Sequence, residues 1–123
     1  HTHLVTKWIK EVEPDEDLEN AIYTHAWGYV KGNPEPATPM QWALYTCDEL
    51  TGLIVATALV KPDRKLSSVT VESVMNKWDQ KAFAKGVNRD QVKMCEAKLG
   101  IPIHEFIEIA LKAMQAIAPE LGL

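Results

Sequence analysis

One segment decides the fold of this chain: residues 38–61, which read TPMQWALYTCDELTGLIVATALVK. Its start is typical of a helix N-terminus, because the Thr38 side chain can accept from the N–H of Gln41 while the Gln41 side chain reaches back, and Pro39 suits the first helical position. The residues that follow are apolar on most sides of the predicted helix, which runs to about Val60. A helix of this kind is typical of the buried centre of a bundle.

Helical spacing predicts further helices on both sides of this one. No stretch of the chain alternates apolar and polar residues in the way that a half-buried strand requires. Proline, glycine and capping residues divide the chain into predicted helices at about 1–12, 15–26, 38–60, 71–77 (with an extension towards residue 83), 88–100 and 102–119. The sequence therefore predicts an all-α fold in which residues 1–123 form one domain, a compact bundle of about six helices.

Apolar stripes predict the packed face of the shorter helices. In the first helix the stripe consists of Leu4, Val5, Trp8, Ile9 and Val12. In the second helix it consists of Leu18, Ala21, Ile22 and His25. The segment NRDQ, residues 88–91, repeats the capping signature of the central helix and predicts the start of the fifth helix.

Composition excludes several classes of protein. The 123 residues are 46% hydrophobic and 24% charged, which provides enough apolar material for a core. The net charge of -4 argues against a general nucleic-acid-binding protein, and the longest apolar run, residues 53–60, is too short to span a membrane. The two cysteines lie among apolar residues and suit reduced core thiols. We therefore expect a cytoplasmic protein without membrane or nucleic-acid partners.

Asp48 is the residue of the central helix that needs an explanation. Its neighbours three and four positions away are uncharged, so no lysine or arginine lies within a turn to pair with it. A buried, unpaired carboxylate is costly, and a distant cation, protonation or a metal ion would have to stabilise it. Two plainer arrangements stay open: Asp48 lies on an exposed seam of the helix, or it pairs with Lys61 or Arg64.

Histidines favour the metal interpretation. His25 belongs to the core-facing stripe of the second helix, and His1 falls in register with the stripe of the first, whereas His3 does not. A single inward histidine is more often a core residue than a ligand. Two imidazoles and a carboxylate on three different helices suit a divalent first-row metal such as Mn, Fe, Ni or Zn, although their spacing alone does not establish one.

Residues 38–61 resemble the helix that carries the last metal-binding Asp in bacterial HD-domain proteins, a superfamily of predicted metal-dependent phosphohydrolases. The resemblance continues through SVTVESVMNKWDQKAFAKGVNRDQV, residues 68–92, and LGIPIHEFIEIALKAM, residues 99–114, and covers essentially the whole chain. Members of the superfamily are all-α and bind one or two divalent metals. Their ligands are a first His, a His-Asp dipeptide and a final Asp, with two further His in binuclear members.

The resemblance implies a role for three residues of this chain. Asp48 resembles the final Asp, His25 the second intermediate His, and His1 the first intermediate His, with His3 as its rival. The chain contains no His-Asp dipeptide, so its ligand set is incomplete. Because the chain also opens on His1 rather than Met, we expect it to be part of a longer polypeptide that carries the other ligands upstream.

The function implied by the resemblance is hydrolysis of a phosphate ester or nucleotide, with Asp48 and His25 as catalytic residues. The cofactor is a divalent metal ion (Mn, Fe, Ni, Zn or Mg) that polarises the phosphate and activates water. Asp48 is implied as a metal ligand, and His25 and His1 hold a second metal or contact the phosphate. The alternative function is a non-catalytic helical module for oligomerisation or ligand sensing, and an exposed apolar face predicts self-association.

Three neighbours of these residues have two interpretations each. Trp27 and Tyr29, which follow His25, either stack on a base or close the bundle, and for Trp27 the structural role is favoured. Glu49 is turned about 100° around the helix from Asp48. We expect it to pack at a neighbouring interface or to cap a polar contact.

Overall fold

A computed structural model describes residues 2–123 of the chain, and the predicted all-α fold is confirmed. This range holds seven α-helices and a short 3₁₀ turn at Leu66–Ser68, and it contains no strand. In chain order the helices are α1 (Thr2–Val12), α2 (Glu16–Thr24), α3 (Pro39–Leu59), α4 (Val71–Trp78), α5 (Arg89–Leu99), α6 (Ile103–Ala116) and α7 (Ala118–Leu121).

Helix α3 begins as its sequence predicts and forms the centre of the bundle. Gln41 donates its backbone N–H to Thr38 Oγ1 at 3.3 Å, and its side-chain oxygen accepts from the N–H of Thr38 at 3.4 Å, so the capping box is complete. Leu50, Leu53 and Ile54 are fully buried in the middle of α3. Helices α2, α4, α5 and α6 all pack against α3, which explains why it is apolar on most sides.

One contiguous core joins α3 to the C-terminal half of the chain. The members of this core on α4, α5 and α6 include Val74, Val92, Cys95, Ile107 and Leu111. Cys95 is buried, Cys47 is half-buried, and both are free thiols, as the sequence predicts. None of the helices within residues 2–123 combines the length and apolar character that crossing a membrane requires.

One helix end and one proposed extension differ from the sequence prediction. Helix α4 ends at Trp78, close to the predicted end at residue 77, but the extension towards Phe83 does not form. The Arg89 guanidinium instead donates to the carbonyls of Trp78 at 2.7 Å and Phe83 at 2.8 Å. Pro119 does not end the last helix, since α6 has already ended at Ala116 and Pro119 lies in the first turn of α7. Proline is tolerated there because its missing N–H would have no helical partner.

The predicted packed face of α1 is wrong for three of its five residues. Leu4, Trp8 and Val12 are 58%, 58% and 84% exposed, whereas Val5 and Ile9 are half-buried and Thr2 is the buried residue of this helix. Helix α1 packs on α2, and this contact covers only part of the apolar stripe. An amphipathic stripe indicates that a helix has an apolar face, but it does not supply the neighbour.

Candidate functional site

Both predicted site residues that the structure describes lie at one pocket beside the middle of α3. The pocket has a volume of about 230 Å³ and is lined by His25, Ala26, Tyr29, Asp48 and Glu49. The turn that follows α2 provides the first three residues, and α3 provides the two carboxylates. Residues from separate parts of the sequence are thus brought together where the end of α2 packs on α3.

Asp48 is exposed, so the prediction of a buried carboxylate is wrong and the exposed-seam alternative is correct. Asp48 shares this exposed side of α3 with Gly52 and Leu59, which are exposed as well. Within residues 2–123, Asp48 forms no ion pair with Lys61 or Arg64. Its carboxylate is therefore open to a ligand from the solvent side of the pocket.

His25 is half-buried directly after the last residue of α2. Its backbone N–H donates to the Ala21 carbonyl at 3.1 Å, which caps the helix. Its ring Nδ1 lies within hydrogen-bonding distance of the Ile22 carbonyl oxygen. A carbonyl only accepts, so Nδ1 is the donor of this hydrogen bond. A hydrogen bond of this kind fixes the orientation of the imidazole ring.

Of the N-terminal histidines, His3 does not line this pocket. His1 lies outside the described residues, so its predicted role as a ligand stays a prediction. His3 is exposed, and its ring packs edge-on against Tyr23 with the centroids 5.6 Å apart. It lines a separate groove between α1 and α2 together with Lys7 and Lys10. His3, the alternative to His1 as a ligand, therefore lines a different pocket from Asp48.

Tyr29 and Glu49 belong to a hydrogen-bonded cluster that the sequence alone did not indicate. The Tyr29 hydroxyl lies 2.8 Å from Gln91 Oε1 and 3.3 Å from Glu49 Oε1, and Asn88 Nδ2 donates to it at 3.4 Å. Gln91 Nε2 donates to the Tyr45 carbonyl at 2.7 Å. Because the amide nitrogen is used in this way, Gln91 Oε1 is an acceptor and the tyrosine donates.

The same cluster changes how α5 begins. Asn88 caps the helix as predicted, its side chain accepting from the N–H of Gln91 at 3.1 Å. Gln91 does not complete the predicted capping box, since its side chain is buried and turned towards α3. Glu49 replaces it, accepting from the backbone N–H of Asn88 at 2.7 Å. The expectation that Glu49 caps a polar contact is therefore confirmed, and the contact fixes α5 to α3.

Trp27 has the structural role that the sequence favours. Its ring packs against those of Trp42 and Tyr45, with centroids 6.1 Å and 5.5 Å away. Lys98 lies over the Trp42 ring at 4.5 Å and reaches Glu35 at 3.4 Å. This aromatic cluster anchors the loop after α2 onto α3, and it thereby holds His25 and Tyr29 at the pocket.

The donor types at the pocket fit a divalent metal, but their number does not complete a site. Within residues 2–123, no three or more His, Cys, Asp or Glu residues lie together in a way that could hold a metal ion. Asp48 and His25 supply one carboxylate and one imidazole, whereas a catalytic metal usually has three protein ligands. Any further donors would come from outside the described residues.

The charge of the pocket limits what can bind there. Asp48 and Glu49 are both among its lining residues, and none of the lining residues is a lysine or arginine. Lys31, Lys61 and Arg64, which flank the site in the sequence, do not line it. Two carboxylates repel a phosphate group unless a cation lies between them.

No protein-family model, curated protein or solved structure matches this chain.

Proposed function

We propose that the pocket at Asp48 and His25 is part of a metal-dependent phosphohydrolase site for a phosphate ester or nucleotide. The observation that carries the proposal is that one pocket holds the two described residues to which the HD-domain resemblance assigns a role. These residues are far apart in the sequence and lie on different elements, so nothing in the local chain requires them to meet.

Electrostatics supports the metal dependence. A phosphate ester carries negative charge, and the pocket offers it two carboxylates and no lysine or arginine. A divalent cation between carboxylate and phosphate removes this repulsion, and a metal bound there would also lower the pKa of a water ligand towards neutrality. Glu49 is engaged by Asn88 and Tyr29, which leaves Asp48 as the carboxylate suited to bind the cation.

His25 has two compatible roles in such a site. Its Nδ1 is hydrogen-bonded to the Ile22 carbonyl, which orients the ring at the pocket. The HD-domain resemblance gives this residue either a second metal ion or the substrate phosphate as its partner. The backbone contacts of α2 fix the position of the ring in both cases.

The decisive experiment compares Asp48→Asn with Asp17→Asn, an exposed aspartate of α2 outside the pocket. Binding of Mn²⁺ and Mn²⁺-dependent hydrolysis of p-nitrophenyl phosphate are measured in the chain and in any longer polypeptide that contains it. We expect Asp48→Asn to weaken Mn²⁺ binding by at least about tenfold and to abolish hydrolysis, because it removes a metal ligand. Asp17→Asn changes neither quantity. Unchanged Mn²⁺ binding and activity in Asp48→Asn would refute the proposal.

The exposed face of α1 favours a second candidate function, a non-catalytic module for oligomerisation. Leu4, Trp8 and Val12 present apolar surface that no described residue covers, and such surface promotes association. Sedimentation equilibrium of the chain and of Trp8→Glu distinguishes this function. Self-association that Trp8→Glu abolishes, without Mn²⁺ binding or phosphatase activity, favours the module over the enzyme.

A further inference from the structure

Tyr29 combines two properties that a purely structural tyrosine does not need together. Its side chain is 60% exposed and lines the pocket that contains Asp48 and His25. Its hydroxyl nevertheless makes a hydrogen bond with Gln91, a residue only 2% exposed, at 2.8 Å. An aromatic ring is thus held in a fixed position by its polar end while much of its apolar surface stays in water.

The hydroxyl is fixed from two helices at once. Gln91 and Asn88 reach it from the start of α5, and Glu49 reaches it from α3. Gln91 is itself fixed by the Tyr45 carbonyl, so its amide cannot turn to release the tyrosine without losing a second hydrogen bond. The ring therefore forms a preorganised wall of the pocket, and binding to a preorganised surface avoids the entropic cost of ordering it.

The chemistry of this wall indicates its ligand. An exposed aromatic face binds another planar ring by stacking, an interaction that depends little on the exact identity of the ring. The carboxylates of Asp48 and Glu49 line the same small pocket. A ligand that uses both features has a planar aromatic part against Tyr29. Its phosphate would reach Asp48 through the divalent cation of the proposed function.

We propose that Tyr29 is a specificity-determining residue that stacks on a planar aromatic group of the substrate. The phosphate part of this substrate rests on the proposed function, whereas the stacking itself does not. Among phosphate esters, the site therefore prefers those whose organic part is a planar ring to those whose organic part is aliphatic. Tyr29 takes no part in bond breaking.

Three probes in the presence of Mg²⁺ separate the two parts of the substrate: adenine, ribose phosphate and AMP. Binding is followed by NMR, including nuclear Overhauser contacts between the Tyr29 ring protons and the probe. We expect adenine and AMP to contact the Tyr29 ring, and AMP to bind about tenfold more tightly than ribose phosphate. Equal binding of AMP and ribose phosphate, or no contact between adenine and Tyr29, would overturn the stacking role.

Variants test the same point from the protein side. Tyr29→Leu removes the ring and is expected to weaken AMP binding about tenfold while leaving ribose phosphate unchanged. Tyr29→Phe keeps the ring but removes the hydroxyl contacts that fix it, so we expect it to weaken AMP binding less than Tyr29→Leu does. Trp8→Leu removes an aromatic ring of similar exposure on α1 and leaves all three affinities unchanged. If Tyr29→Leu does not fold, the probe affinities and the ring contacts in the unmodified chain decide.

The probes also distinguish failure of this inference from failure of the proposed function. Adenine that stacks on Tyr29 while ribose phosphate does not bind supports the stacking role and counts against a phosphohydrolase. Ribose phosphate that binds as tightly as AMP supports a phosphate site and overturns the role of Tyr29. If none of the three probes binds, the stacking role of Tyr29 and the proposed function are both wrong.

Discussion

Gln91 is a buried amide whose two ends are both satisfied, and it shows how one residue connects the pocket to the core. Its nitrogen donates to the Tyr45 carbonyl on α3, and its oxygen accepts from Tyr29. A buried polar group costs little when each of its atoms has a partner, and considerably more when one partner is removed. The stability of this part of the molecule therefore depends on the hydroxyl of an exposed tyrosine.

This dependence gives a prediction for Tyr29→Phe. The variant leaves Gln91 Oε1 without its donor in a buried position, and we expect it to lower the free energy of unfolding by about 1–3 kcal/mol. Urea denaturation measures the change. Tyr23→Phe is the matched control, because the Tyr23 hydroxyl makes no hydrogen bond within residues 2–123. Equal stability of the two variants would contradict the role of the cluster.

At the scale of the elements, most helix boundaries follow from local chemistry. The start of α3 is correctly predicted because Thr38 and Gln41 satisfy each other within one turn. The start of α5 is predicted only in part, because Asn88 caps it locally whereas its second partner, Glu49, comes from α3. A sequence pattern reveals a capping interaction within one turn, but it does not reveal a capping partner that comes from another helix.

The connection between α3 and α4 predicts a pH dependence of stability. Asp63 accepts hydrogen bonds from the Ser68 hydroxyl and the backbone N–H of Lys65, and these bonds lower the pKa of its carboxyl group. A lowered pKa in the folded state stabilises the protein above the unfolded pKa, near 4. This stabilisation is lost as the pH falls through the lower pKa of the folded state.

Acid unfolding of Ser68→Ala tests whether the stabilisation by Asp63 is lost as the pH falls. The variant removes the largest cause of the shift, so we expect the difference in stability from the unmodified chain to be present at neutral pH and to shrink as the pH falls below about 4. Ser67 is an exposed neighbour that makes no hydrogen bond to Asp63 within residues 2–123, so Ser67→Ala serves as the control and follows the unmodified chain. A Ser68→Ala effect that is constant across this range would be inconsistent with the carboxylate as its cause.

At the scale of the whole molecule, stability is concentrated around α3 and declines towards the N-terminus. Helix α3 is in contact with α2, α4, α5 and α6, whereas α1 packs on α2. Thr2 is the buried residue of α1, while nine residues of α3 are buried. The chain therefore has a strongly packed C-terminal part and an N-terminal helix that contributes little to its core.

Matched leucine variants test this gradient. Leu53 is fully buried in α3, and we expect Leu53→Ala to lower the free energy of unfolding by about 2–5 kcal/mol through lost burial and a residual cavity. Leu4 is more than half exposed on α1, so Leu4→Ala should change stability by no more than about 0.5 kcal/mol. Thermal unfolding followed by circular dichroism measures both. A large effect of Leu4→Ala would show that its face is covered in solution.

For the candidate site, the sequence indicated two of the residues that line the pocket but not their geometry. The resemblance singled out Asp48 and His25, and both line one pocket. The burial of Asp48 was predicted wrongly, since uncharged neighbours on a helix do not reveal which side another helix covers. Tyr29 and Gln91 are 62 positions apart, and no local pattern indicates that they meet.

By itself the sequence determined the helical class, the capped start of α3 and the position of α3 at the centre, because these depend on interactions within a turn and on apolar periodicity. Only the tertiary structure decided that Asp48 faces solvent, that Leu4, Trp8 and Val12 of the α1 stripe are exposed, and that Glu49 and Gln91 join α5 to Tyr29 and α3. These features depend on which helices are neighbours, and the packing of the whole chain sets that choice.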